Sequence, residues 1–213
     1  ENVSFIAYYP FGDVENYSVY LDVREQNNPS MIDFLYSDNI ENVVATTTVQ
    51  QLTFAHQLSK VLFDIKAGSG ISETELDGVT VSVRNATSNA NFSLVDGSIT
   101  LGTQKQEMKL PVTYSEAIAH AEGIMIPQSC DKISFIISLQ SGKSFFYALE
   151  ENSQWESGKK YTYEITLTDN MANASFSAII SDWVDGVSGG ITDTTIPEVW
   201  DGETVNTDWY TDD

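Results

Sequence analysis

The clearest pattern in the chain lies between Tyr161 and Thr168, where apolar and polar residues alternate strictly. The odd positions carry tyrosine, isoleucine or leucine, and the even positions carry threonine or glutamate. Successive side chains of a β-strand point to opposite faces of a sheet, so the stretch is predicted to be a half-buried strand. A Ser-Gly pair supplies a turn just before it, and the run 174–180 supplies a second strand. The two strands are therefore predicted to form a hairpin that ends at Trp183.

Shorter apolar runs separated by turn residues occur along most of the chain. Valine occupies alternate positions from 79 to 83, as expected for one face of a strand. Asp96-Gly97 is typical of a tight β-hairpin, and residues 140–143 predict a second hairpin. Many strands at a spacing of about 8–12 residues, without helical crossovers, predict an all-β fold. The expected architecture is an antiparallel β-sandwich.

The segment 49–65 changes its pattern partway along. Apolar residues occupy even positions in its first half, together with His56, and odd positions from Val61 onwards. A shift of one residue moves side chains to the other face of a sheet, so we expect a bulge, a break or a change of face near Ser59-Lys60. His56 then lies on an apolar face. We interpret it as a core or interface histidine rather than a metal ligand or catalytic base.

One stretch favours a helix. Residues 115–122 carry alanine and glutamate at positions that suit one or two helical turns, and Gly123 is placed to cap them. We therefore predict a short helix between two strands.

Three segments follow from these patterns. Residues 1–47 are too few to fold alone, so they are predicted to be the end of an N-terminal β domain, the remnant of a second sandwich, or a flap. Residues 48–185 are predicted to form the main sandwich. Residues 186–213 are acidic and rich in glycine and threonine, and they are predicted to be a linker, a tail or the start of a further module.

The charge of the chain restricts its partners. Its 213 residues include 31 acidic and 10 basic residues, which gives a net charge of −21. Such a charge repels nucleic acid and anionic lipid, so neither is expected as a partner. No apolar run approaches the roughly 20 residues that cross a bilayer. Because the first residue is Glu1 and not methionine, we expect that a segment upstream of it has been removed or left out.

The sequence offers no recognisable catalytic chemistry. It contains no phosphate-binding loop, no nucleophile elbow and no zinc-type spacing of histidines and carboxylates. The single cysteine, Cys130, excludes an internal disulfide and is interpreted as a small buried residue. No catalytic residue, cofactor site or metal ligand is therefore predicted, and an enzyme is not expected.

Aromatic residues in the tail are the predicted ligand-binding candidates: Trp200, Trp209 and Tyr210. A carbohydrate-binding module would use such side chains, together with Trp155 and Trp183, as exposed flat faces flanked by polar groups. The interpretation that we favour over a ligand platform is that the tail aromatics pack onto the sandwich or begin a following module.

Six motifs, taken in order, resemble the fimbrillin-like family of Bacteroidetes surface proteins. They are Phe5–Pro10, Ile32–Tyr36, Leu52–Val61, Ile126–Gln128, Trp155–Leu167 and Ile180–Trp183. The resemblance covers about residues 1–186. It implies a transthyretin-like sandwich, export as a lipoprotein precursor, and a place at the cell surface, anchored in the outer membrane or in a fimbria.

The resemblance also implies a function. Members of the family serve as stalk, anchor or tip subunits of type V pili, where a neighbour's strand fills a groove left by a cleaved first strand. Other pilus subunits, joined by β-strand addition, are thus the expected partners, together with host or bacterial surface ligands. The lipidated cysteine and the cleavage arginine of the family pattern have no counterpart here. The tail does not alternate like a donor strand, which favours a tip or accessory role over a stalk role.

Overall fold

The computed structural model describes residues 2–44, 49–169 and 175–183 of the chain. In these ranges the regular secondary structure consists of strands, apart from one short helix, α1 (Pro29–Ile32), and one 3-10 turn at Glu73–Leu76. No helix in the described ranges is both long and apolar enough to cross a membrane. The strands are β1 (Val3–Tyr9), β2 (Val14–Glu15), β3 (Ser18–Asp22), β4 (Leu35–Val43), β5 (Ala55–His56), β6 (Ser59–Ala67), β7 (Thr80–Arg84), β8 (Asn89–Ser93), β9 (Ile99–Leu101), β10 (Met108–Leu110), β11 (Val112–Ser115), β12 (Ile118–Met125), β13 (Gln128–Ser129), β14 (Ser134–Ser138), β15 (Ser144–Ala148), β16 (Gln154–Trp155), β17 (Lys159–Leu167) and β18 (Ser175–Asp182).

A five-stranded sheet with the order β11-β12-β6-β17-β18 forms one layer of the molecule. The alternation predicted for Tyr161–Leu167 is present, because every odd residue of this stretch is buried. Strand β17 pairs with β18 in antiparallel fashion, as the predicted hairpin requires. On its other side β17 pairs in parallel with β6, about one hundred residues earlier in the chain.

A four-stranded antiparallel sheet with the order β10-β7-β14-β15 packs against the first. Phe135 of β14 joins the layers, since its ring meets Phe63 at 4.6 Å and Tyr163 at 5.0 Å between centroids. Burial of these aromatic side chains supplies the main drive for folding, since each one removes a large apolar area from water. The two sheets form a β-sandwich, which confirms the predicted fold class.

The amino-terminal residues add two further sheets, with the orders β1-β4-β5 and β2-β3-β8-β9. Strand β3 pairs with β8 over its whole length, so residues before and after position 47 share one sheet. Phe92 of β8 packs against Phe34 and Tyr36, at 4.8 and 4.9 Å between ring centroids. Residues Glu1–Trp183 cluster as one compact unit. The division of the chain at residues 47 and 185 stays a prediction, and residues 186–213 lie outside the described ranges.

The predicted turns and the predicted break are present. Asp96-Gly97 lies in the turn between β8 and β9, and residues 140–143 lie between β14 and β15. The change of pattern in segment 49–65 is a break, because β5 ends at His56 and β6 begins at Ser59.

The predicted helix at 115–122 is wrong. Residues Val112–Ser115 and Ile118–Met125 instead form the hairpin β11–β12, which turns at Glu116 and Ala117 with φ angles of 52° and 61°. Strand β12 pairs with β6 along all eight of its residues. This tertiary pairing outweighs the weak helical preference of alanine and glutamate. Gly123 is therefore a mid-strand residue and not a helix cap.

Candidate functional site

Strand β18 presents core-facing side chains at one side of the sandwich. In the register of β17 and β18, Ala178 lies opposite Tyr163 and Ile180 lies opposite Tyr161. Directly opposite residues on neighbouring strands share a face of the sheet. Tyr161 and Tyr163 are buried, so Ala178 and Ile180 also point toward the interior of the sandwich.

These interior-facing residues of β18 are nevertheless uncovered. Ile180 is 62% exposed, whereas its partner Tyr161 is 4% exposed. The opposite sheet ends with β15, whose Tyr147 stacks on Phe176 with 5.6 Å between ring centroids. The chain then turns at residues 150–153 and returns as β16. In the part of the chain that the structure describes, the four-stranded sheet therefore has no strand beyond β15, and only the segment 149–155 with the two-residue strand β16 faces Ala178 and Ile180.

The space beneath this edge is a groove of about 380 Å³, which we call the β15–β18 groove. It lies between β18 and the segment 149–155, and its walls include Leu149, Trp155, Phe176, Ala178 and Ile180. Its volume is at the lower end of the range for small-molecule sites, which is about 300–1,000 Å³.

The polar atoms at the floor of the groove already have partners. The indole N–H of Trp155 donates to the Tyr163 hydroxyl at 2.9 Å, and the Tyr161 hydroxyl accepts from the Glu156 N–H at 2.8 Å. Burial raises the pKa of Tyr163 well above its usual range and the pKa of the Cys130 thiol to about 11. Both groups are protonated at neutral pH, so the groove offers apolar surface and no activated nucleophile.

The rim of the groove carries negative charge. Glu150 lines the groove, and Glu151 and Asp131 are exposed beside it, where the Asp131 carboxylate accepts a bond from the Asn152 N–H at 2.9 Å. That bond lowers the pKa of Asp131, which is therefore ionised at neutral pH. Two cations are also present: Lys132 lies beside Asp131 and contributes to lowering the pKa of that carboxyl, and Lys159 Nζ is 2.5 Å from Asp182 Oδ1.

Two tryptophans that the sequence suggested as carbohydrate platforms do not form one. Trp155 is a core residue, 2% exposed. Trp183 is half-buried, and one face of its ring stacks on His56 at 3.9 Å with 9° between the planes. The nitrogen of Lys60 lies 5.9 Å from the centre of the same ring. Trp200, Trp209 and Tyr210 lie outside the described residues, and their ligand binding stays a prediction.

The two histidines are found in different settings. His56 Nδ1 is 2.9 Å from Asp33 Oδ1, and with its stack on Trp183 it joins separate parts of the fold, as predicted for a core or interface histidine. His120 Nδ1 is 2.7 Å from Asp64 Oδ1 on the solvent face of the five-stranded sheet. Among the described residues, no group of three or more histidine, cysteine or acidic side chains is placed to hold a metal ion.

The sequence did not reveal the β15–β18 groove. The one local signal is the pair Ile179-Ile180, which places large apolar side chains on both faces of one strand. Ile179 is 55% exposed on the opposite face. Such a pair suits a strand that is covered on both faces, and only the structure shows that β18 is not.

Comparison with known proteins gives a consistent family assignment. The model of the fimbrillin-like family matches residues 1–183. A candidate fimbrium subunit of Bacteroides uniformis, Fim1C, is 30% identical over 200 residues, which are 88% of this chain and 64% of that relative. The chain thus spans less than two thirds of the length of this curated relative.

Solved structures show the same fold. A candidate cell adhesion protein of Bacteroides uniformis superposes with a TM-score of 0.74 at 26% identity, over 85% of this chain and 73% of its own. A candidate cell adhesion protein of Bacteroides ovatus gives a TM-score of 0.63 at 16% identity, over 85% and 68%. On these matches, the chain belongs to the fimbrillin-like family, whose fimbrial and adhesion proteins are found at the cell surface.

Proposed function

We propose that the protein is a structural subunit of a cell-surface fimbria and that it joins other subunits by β-strand addition. The observation that carries the proposal is Ile180, an interior-facing side chain that is 62% exposed. A large apolar side chain on the core face of a sandwich stabilises the fold only when it is covered. A strand supplied by a neighbouring subunit would cover it.

Strand addition also satisfies the backbone. Edge strands carry unpaired N–H and C=O groups, and an added strand pairs with them while its alternate side chains fill apolar pockets. The β15–β18 groove combines both requirements, since β15 and β18 are each the last strand of their sheet. Membership of the fimbrillin-like family supports the same function.

The finer parts of the proposal concern place and role. The family resemblance supports export as a lipoprotein, anchoring in the outer membrane and assembly by exchange of a cleaved strand as parts of this proposal. An accessory or tip position is favoured by the acidic stretch 186–213, which lacks the alternation of a donor strand.

Two neighbouring isoleucines provide the test. Ile180 faces the β15–β18 groove and Ile179 faces away from it, although the two are exposed to a similar degree. The tagged full-length protein is produced in a Bacteroides host, and surface fibres are examined by immunogold microscopy and by gels of unheated samples. We expect fibre-associated, high-molecular-weight protein for the wild type and for Ile179→Asp, and only monomer for Ile180→Asp.

The controls make the result decisive. Circular dichroism and thermal unfolding establish that both variants are folded. If Ile180→Asp enters fibres as well as Ile179→Asp does, the groove is not the assembly site. If the wild type never joins a fibre, the proposed function is wrong.

A further inference from the structure

We propose that the β15–β18 groove accepts its strand along the free edge of β15, and that this strand is a basic segment of a different protein. The inference rests on the proposed function and adds the edge that is used and the chemistry of the partner. On this proposal, the strand that fills the groove does not come from residues 184–213 of a second copy of the chain.

Geometry selects the edge. A strand added to the outer edge of β18 would extend the five-stranded sheet and lie beyond Ile180, which would leave the groove open. A strand added to β15 would extend the shorter sheet, in the layer that faces β18. Tyr147 of β15 stacks on Phe176 of β18, so a strand added beyond β15 lies in the layer that faces β18 and borders the β15–β18 groove.

The backbone of β15 is oriented to receive this strand. The Leu139 N–H donates to the Lys143 carbonyl and the Leu149 N–H donates to the Ile133 carbonyl, both at 2.9–3.0 Å. Hydrogen-bonded pairs alternate with non-bonded pairs in an antiparallel ladder. The odd residues of β15 therefore bond to β14, and the peptide groups of Ser144, Phe146 and Ala148 point away from it.

The side chains of β18 indicate what the strand carries. Phe176, Ala178 and Ile180 follow one another at every second position along the groove. An incoming strand whose alternate residues are apolar has the same spacing, since strands rise by about 3.3 Å per residue. Its other residues face solvent, near the acidic rim.

Charge decides which segment fits. Three carboxylates, of Glu150, Glu151 and Asp131, outnumber the single ammonium of Lys132 beside them, and this balance favours lysine or arginine on the solvent-facing positions. Residues 184–213 contain eight acidic residues, and no lysine or arginine follows Lys160. That stretch of a second copy would bring like charge to an acidic rim, on a chain whose net charge is already −21. Self-assembly through this stretch is therefore disfavoured, and a basic partner is favoured.

The test uses labelled peptides and the full chain. A twelve-residue peptide that alternates valine or isoleucine with lysine is compared with the same peptide carrying glutamate, and with a peptide of residues 190–205. Binding is followed by fluorescence anisotropy in 0.15 M and 1 M NaCl. We expect the lysine peptide to bind at least ten-fold more tightly than the other two in 0.15 M NaCl, with a smaller difference in 1 M NaCl.

Variants and amide exchange locate the site. The double variant Glu150→Gln/Glu151→Gln should bind the lysine peptide several-fold more weakly than the wild type does. The control double variant Glu15→Gln/Glu41→Gln removes the same charge elsewhere and should bind the peptide as tightly as the wild type does. Hydrogen exchange with the lysine peptide bound should slow at the amides of Phe146 and Ala148. Protection along β18 instead would overturn the choice of edge.

Each failure has its own meaning. Equal binding of the glutamate peptide or of the 190–205 peptide would overturn the basic partner and leave strand addition standing. Absence of lysine-peptide binding would overturn this inference, whereas the fibre assay with Ile180→Asp decides the proposed function independently.

Discussion

Gln26 shows how one side chain can replace a missing strand. It is 2% exposed, and its amide oxygen accepts from the Ile124 N–H at 2.9 Å while its amide nitrogen donates to the Ile124 carbonyl at 2.8 Å. Its amide nitrogen also donates to the Val23 carbonyl. Backbone groups buried without a partner cost free energy, so this side chain completes the pairing of β12. Gly123 has no side chain, and this leaves room for the side chain of Gln26.

Replacing Gly123 with alanine should destabilise the protein. A Cβ at this position would lie 2.7 Å from Leu110 Cδ2 and 3.0 Å from Gln26 Oε1, which is closer than ordinary contact. Overpacking of this kind costs about 1–3 kcal/mol. Urea unfolding measures the change, with Gly12→Ala as the control, since a Cβ at Gly12 meets nothing within 4 Å. Equal effects of the two substitutions would contradict the packing described for Gly123.

The Cys130 thiol should make stability depend on alkaline pH. Burial raises its pKa from 9.0 to about 11 in the folded protein. Between these values the unfolded chain has lost the proton and the folded chain retains it, so stability falls as the pH rises. At pH 8 the thiol is protonated in both states, so the stability that depends on its protonation is fully present.

Comparison with Cys130→Ala isolates this effect from that of the buried tyrosines. Between pH 8 and pH 11 the wild type should lose about 1–3 kcal/mol of unfolding free energy more than the variant loses. Chemical unfolding of both proteins at the two pH values measures the difference. Parallel pH profiles would show that Cys130 is not the group responsible.

At the scale of elements, the β11–β12 hairpin uses an unfavourable turn. Glu116 and Ala117 both have positive φ, a conformation that asparagine and glycine adopt more easily. The turn persists because β12 is held by eight residue pairs with β6. Local sequence and tertiary pairing therefore conflict here, and the pairing prevails.

Replacing Glu116-Ala117 with Asn-Gly should stabilise the protein. A non-glycine residue in the left-handed region costs roughly 1–2 kcal/mol, so we expect a gain of about 1 kcal/mol. Thermal and urea unfolding provide the measurement. Ala119→Gly, inside the buried part of β12, is the matched control and should destabilise. A loss of stability in the Asn-Gly variant would show that the turn is not strained.

At the scale of the whole molecule, charge opposes compactness. A net charge of −21 on 213 residues produces repulsion that the ten basic residues offset only in part. Exposed ion pairs such as Arg84–Glu107 add little to stability, so burial of the apolar core must outweigh the repulsion. Added salt should therefore change the stability of the protein as a whole.

Raising NaCl from 0.01 M to 0.15 M should raise the melting temperature. The Debye length falls from about 30 Å to about 8 Å, which screens repulsion between carboxylates across the surface. We expect an increase of about 2–4 °C, the change that about 1 kcal/mol produces in a domain of this size. Differential scanning calorimetry measures it, with sucrose at equal osmolality as the control for excluded-solute effects. A melting temperature that stays constant or falls would contradict the proposed repulsion.

The sequence alone determined those features that depend on neighbouring residues. The burial of every odd residue in Tyr161–Leu167 follows from a period of two, and the Asp96-Gly97 turn follows from backbone preference. Tertiary structure decided the rest. The parallel pairing of β6 with β17 joins residues about one hundred positions apart, and the β11–β12 hairpin depends on that same sheet. The exposure of Ile180 depends on the width of the opposite sheet, which no pattern within β18 records, so the β15–β18 groove is visible only when both layers are in place.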